Sequence, residues 1–177
     1  NLVASVYAAA GQREMAREQF EEALKLDPKD AQSLLNMARL DLAESNAANA
    51  EARFRKVLEG DPKHMLATVG MAVAAASRND TKEAEKWLQK ASTEHPDAVE
   101  AQVALAQFYM GSRQVDKALA VIDAAAKKSP DNVVLANMRG MALLGKNDLP
   151  GALTSFKRAT ELAPKAYAYA LNLARAH

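Results

Sequence analysis

Three histidines, His64, His95 and His177, are the only imidazoles in this 177-residue chain, and it has no cysteine. A zinc-type centre needs such ligands at short, regular spacings, and these three do not share one. Each falls in a turn or at the chain end, where a lone histidine reads as a structural or solvent-facing residue. Nothing in the chain matches a glycine-rich phosphate loop, a GxSxG nucleophile elbow or an HExxH metal helix. Paired carboxylates such as Glu21 and Glu22 belong to a charged outer helix face, where they are solvated. Catalysis therefore has no residues to rest on, and the sequence reads as non-enzymatic, with no cofactor and no metal.

Charge narrows the partners. Lysine and arginine total 23 against 22 acidic residues, a net charge of +1, and the two signs alternate along the chain. No basic stripe forms, so nucleic acid is not an expected ligand. No apolar run approaches the roughly 18 residues that a membrane-spanning helix needs, so direct membrane insertion by this segment is not expected. Residues Asn1 to Ala10 have neither the basic start nor the apolar core of a signal peptide. The absence of cysteine is compatible with cytoplasm and periplasm alike, and the compartment stays open at this level.

What must position any functional residue is a periodic scaffold. Pro28, Pro62, Pro96, Pro130 and Pro164 stand 34 residues apart. Proline lacks the amide that a helix interior needs, so a helix must stop before each one. Other columns keep the same beat. Alanine recurs at Ala16, Ala50, Ala84, Ala118 and Ala152, and a second column runs Ala23, Val57, Ala91, Ala125 and Ala159. A third holds Ala4, Ala38, Ala72, Ala106, Gly140 and Ala174. Between the alanines lie Phe20, Phe54, Leu88, Ile122 and Phe156. Small residues let helix backbones approach closely, and the large ones fill the space beside them. Each full repeat reads as a first helix, a tight turn, a second helix and a proline-containing turn, as in Ala31 to Glu44 and Ala47 to Glu59. The tight turns centre on Gly11, Ser45–Asn46, Asn79–Asp80, Arg113 and Asn147–Asp148. The sixth proline, Pro150, falls in the first turn of a second helix, where its missing N–H is harmless.

These columns resemble the tetratricopeptide repeat family, a 34-residue helix–turn–helix unit with small, aromatic and proline positions. Tyr7 and Tyr109 fall where the family favours tyrosine. Departures are local: the family's early tryptophan is replaced by Leu34, Thr68, Gln102 and Ala136, and Arg139 stands in the column of Met37, Met71 and Leu105. The resemblance implies an all-α, right-handed superhelical solenoid of antiparallel helix pairs. It covers residues 1–177 as one array, with repeats at about 1–30, 31–64, 65–98, 99–132 and 133–166 and a partial one at 167–177. In this alignment Asn1 lies inside one helix and His177 inside another. Since an array needs capping repeats, the chain is expected to be a slice of a longer protein.

Function is expected on the first helices. Those at 31–43, 65–77, 99–111 and 133–145 carry only Arg39, Asp41, Glu100 and Arg139 as charged residues, whereas Arg13 to Lys25 alone carries seven. The second helices thus show water a solvated face. By resemblance to the family, the first helices line a concave groove. Subtracting the packing columns leaves Gln32, Leu35, Asn36, Arg39, Leu66, Val69, Val73, Glu100, Val103, Gln107, Met110, Asn137, Met141, Leu144, Asn172 and Arg175 on that wall. Apolar pockets with isolated amides suit a peptide segment of a partner protein, with Asn36 and Asn172 for its backbone and Arg39 and Arg175 for an acidic group. The family's terminal-carboxylate clamp is not expected, because its lysine positions hold Gln32, Leu66, Glu100 and Val134. The function that follows is a non-catalytic protein-interaction scaffold. Its alternative is a self-assembling structural scaffold that associates through array ends or the convex face. The alanine-rich texture of GQREMAREQFEEALKLDPKD also resembles bacterial repeat lipoproteins of exopolysaccharide export and PEP-CTERM sorting, which would imply the cell envelope or periplasm.

Overall fold

A computed structural model of the chain describes residues 12–176. Expectations placed on Asn1, Ala4, Tyr7, Gly11 and His177 lie outside the described residues. Within them the chain is all-α, with ten helices and no strand. They are α1 Arg13–Leu26, α2 Ala31–Ala43, α3 Ala47–Gly60, α4 Met65–Ser77, α5 Thr81–Glu94, α6 Val99–Gly111, α7 Val115–Lys128, α8 Val133–Gly145, α9 Leu149–Leu162 and α10 Tyr167–Ala176. The chain divides into two compact halves, Asn1–Glu94 and His95–His177.

The turns explain where the helices stop. Between a first and a second helix the chain reverses over three residues, and one of them is left-handed in each case: Ser45, Asn79, Arg113 and Asn147, with φ of 58–62°. Only the asparagines suit that conformation intrinsically. Ser45 and Arg113 hold it because the same backbone bonds close every turn, as in Asn46 N–H to Asp41 C=O at 2.7 Å and Gln114 N–H to Tyr109 C=O at 2.8 Å. Side chains then start several helices. Asp30 accepts from Ser33 N–H, Asn46 from Asn49 N–H, Asn132 from Val134 and Leu135 N–H, and Asp148 from Gly151 N–H. Pro150 stands in the first turn of α9.

Packing follows the periodic columns. Ala16, Ala50, Ala84, Ala118 and Ala152 are all fully buried, and Phe20, Phe54, Leu88, Ile122 and Phe156 are buried beside them. In the first half, Ala16 and Phe20 meet Met37 and Leu40, while Ala50 and Phe54 join Leu34, Leu35, Ala38, Val57, Ala67 and Met71. In the second half, Ile122 packs with Ala106, Met138 and Ala142, and Phe156 with Leu143 and Ala152. Ala23 is half-buried and Ala174 exposed, the exceptions among the small columns.

Two glycines complete the fit. A methyl group at Gly70 would overlap the ring of Phe54, and one at Gly140 would lie 2.6 Å from Phe156. Gly70 faces the second helix of the preceding repeat, whereas Gly140 faces that of its own. A buried ring has no rotamer into which it can retreat.

Phe54→Ala should lower the free energy of chemical unfolding by about 3–5 kcal/mol through lost burial and a cavity. Ala50→Leu should lower it by about 1–3 kcal/mol by forcing helices apart, and a neutral result would refute the steric role of that column. Two Gly→Ala changes in helices should move in opposite directions. Gly60 has open space around it, so Gly60→Ala should stabilise by about 0.4–1 kcal/mol through the unfolded chain. Gly70→Ala should destabilise despite its better helix propensity.

Candidate protein-binding faces

Two columns of each first helix face water throughout. One is Gln32, Leu66, Glu100 and Val134; the other, two turns further along each helix, is Arg39, Val73, Gln107 and Met141. Positions seven apart lie about 10.5 Å apart along a helix on nearly the same face. In the first half, α2 presents Gln32 and Arg39 and α4 presents Leu66 and Val73, which are 45% and 46% exposed. In the second half, α6 presents Glu100 and Gln107, while α8 presents Val134 and Met141 at 39% and 40% exposure. Each half thus sets one polar first helix beside one apolar first helix.

Most of the other expected wall residues sit deeper. Asn36 and Val69 are half-buried. Leu35 is buried in the core with Leu34, Ala38 and Phe54, because α2 turns that flank toward α3 and α4. Val103 and Met110 are half-buried against Ala106, Ile122, Met138 and Ala142. Asn137 is buried, and its Oδ1 accepts a 2.8 Å hydrogen bond from Asn172 Nδ2. The two amides therefore tie α8 to α10. Leu144 and Arg175 are exposed. Within the second half, Glu100, Val103, Gln107 and Val134 line a cleft of about 530 Å³ together with Asp97 and Asn132. Val134 escaped the sequence-based subtraction, although its 34-residue spacing from Glu100 marks it as a face residue.

Charge on these helices is handled unequally. Asp41 is only 1% exposed. Its carboxylate accepts from Arg17 at 3.1 Å and from Arg53 at 2.7 Å, and Arg17 also reaches Glu44 at 2.8 Å. The equivalent positions are Ala75, Tyr109 and Leu143, all buried, so among these positions the ion cluster occurs once, where it joins the first repeat to the second. Arg139 bonds Asp123 at 2.8 Å and the Ser155 hydroxyl at 3.2 Å, which accounts for a cation in an apolar column.

Elsewhere the arrangement is structural. His64 Nδ1 accepts from Ala67 N–H at 3.4 Å, and the His95 carbonyl accepts from Gln102 Nε2 at 3.2 Å. Trp87 is half-buried against the Phe54 core, with Lys90 Nζ 5.3 Å from its ring centroid. Among the described residues no group of three or more His, Asp or Glu side chains is placed to hold a metal ion. No helix among them is long and apolar enough to cross a membrane.

Models of the tetratricopeptide repeat match residues 2–40, 41–93, 80–141 and 137–177. No curated protein matches the chain. Among solved structures it resembles a thermophilic TPR protein of Thermus thermophilus, at 21% identity and a TM-score of 0.77, over 98% of this chain and 95% of that one. A tetratricopeptide repeat protein of Parabacteroides merdae is similar at 24% identity and a TM-score of 0.74, over 98% of this chain and 68% of that one. So is YrrB, a TPR protein with an unusual peptide-binding site, at 19% identity and 0.66, over 97% and 88%.

Arg53→Ala should cost about 1–3 kcal/mol in chemical unfolding, because it takes one of two cationic partners from a buried carboxylate. Asp41→Leu, which installs the residue found at position 143, should cost less. The two arginines, each with a side chain 25% exposed, can then turn to water.

Proposed function

The chain belongs to the tetratricopeptide repeat family, and we propose that it is a non-catalytic scaffold that holds a peptide segment of a partner protein. The observation that carries this reading is the pair of exposed columns on the first helices. Leu66, Val73, Val134 and Met141 keep about two-fifths of their surface in water, although the same helices bury their opposite flanks completely. Within each half, side chains of this size left open beside Gln32 or Gln107 suit alternate side chains and backbone groups of a bound segment. Asn36, Arg39, Val69, Val103, Met110, Asn137, Asn172 and Arg175 complete the proposed contact set. A role in envelope export or protein sorting rests on the alanine-rich sequence texture alone. Self-assembly through array ends or the convex face is the competing reading.

The test uses exposed positions, since Val103 also supports the core. Val73→Asp combined with Met141→Asp should leave thermal unfolding within a few degrees of wild type. Pull-down from bacterial lysate, read by mass spectrometry, should return a partner with the wild type that the double variant loses. Equal retention by both would move the site off the first helices. A mass that rises with concentration and is unaffected by the variant would favour self-assembly.

A further inference from the structure

On the first helices of the first half, Arg39 and Asp41 are the only charged side chains. Asp41 is buried and fully engaged by Arg17 and Arg53. Arg39 alone carries charge on the outward face of α2 and α4. It is exposed, and among the described residues it makes no hydrogen bond or ion pair. An exposed arginine commonly pairs with a carboxylate three or four residues away on its own helix. Here those positions hold Leu35, Asn36, Leu42 and Ala43. It also stands outside the last turn of α2, where the helix dipole would favour a cation. Residues 1–11 contain no charged side chain at all. Nothing within the first half therefore gives this guanidinium a structural task.

Its neighbours on the same face are Leu66 and Val73, both exposed, with Val69 half-buried between them. We propose that this face selects a partner segment carrying an acidic side chain beside a branched aliphatic one. The carboxylate pairs with Arg39, and the aliphatic group covers Leu66, Val69 and Val73. This rests on the reading of the first helices as a peptide-binding face and names the chemistry of its ligand.

The alternatives lose on electrostatics. A basic segment would be repelled by an unneutralised guanidinium. A wholly apolar one would draw that group out of water without a partner, which costs more than the added contact returns. An internal acidic side chain is favoured over a chain terminus because one cation is present where a terminal clamp would need several. Arginine also offers a planar fork that matches a carboxylate in two parallel bonds.

The probe is an array of short randomised peptides, all amidated at the C-terminus, incubated with the 177-residue chain. Wild type should enrich Asp or Glu next to Leu, Ile or Val. Arg39→Gln should weaken the enriched peptides about two- to fivefold, the range of a solvent-exposed ion pair. Arg39→Glu should reverse the preference toward Lys and Arg. Lys82→Gln, an exposed cation on the second helix α5 of the same half, should leave the acidic preference intact. If peptides bind and are lost with Val73→Asp, yet show no acidic preference and no response to Arg39→Glu, this inference falls and the peptide-binding reading stands. Binding that appears only when the same peptides carry a free C-terminal carboxylate overturns the side-chain assignment. If no peptide binds the wild type, both fall.

Discussion

Close approach of paired helices, made possible by a methyl group wherever a larger side chain would intrude, is the constraint from which everything else follows. Fully buried alanines at positions 16, 50, 84, 118 and 152 set the separation, and one large side chain per repeat fills what remains. The first helices meet this spacing with one flank, where Ala38, Ala72, Ala106 and Gly140 lie beside larger buried residues such as Leu34, Met71 and Met138. Their other flank is released from structural duty. That division of labour is what lets Gln32, Leu66, Glu100 and Val134 differ so widely in chemistry while the scaffold beneath them hardly changes.

The repeat was legible because its determinants are local and recur. A proline that must end a helix and an alanine that must not be larger leave the same mark in every repeat. The outward columns were legible in part, since Arg39, Val73, Gln107 and Met141 follow from period alone. What sequence could not reveal was how far a flank rotates. Leu35 and Leu66 look alike in a list of apolar residues, yet one sits in the Phe54 core and the other faces water. Nor could it show that the Asn137 and Asn172 amides meet each other, because that contact joins residues a whole repeat apart. The left-handed turn residues at Ser45 and Arg113 were hidden for a related reason. Their conformation is imposed by the closing hydrogen bonds and not by their own preferences.

Several buried or half-buried polar side chains share a pattern of local pairing, which the Asn137–Asn172 bond does not follow. Thr68 donates to the His64 carbonyl, Ser155 to Gly151 and Thr160 to Phe156, each one helical turn back. Gln102 reaches the carbonyl of His95 in the preceding turn. These groups draw on backbone acceptors that the helices and turns already provide. A polar residue can therefore enter a core column without recruiting a second specialised residue in a neighbouring repeat.

The Asp41 cluster departs from that pattern, and it bears on how a periodic chain finds its correct alignment. When every repeat offers nearly the same alanines and aromatics, a helix that docks one repeat out of step gains most of the native apolar contact, the characteristic hazard of repeat proteins during folding. Packing alone discriminates poorly between such slips. An aspartate that must meet Arg17 and Arg53, at a column where other repeats offer alanine, tyrosine or leucine, makes a shifted docking bury charge without a counter-charge. One non-repeating residue thus acts as a key among interchangeable parts.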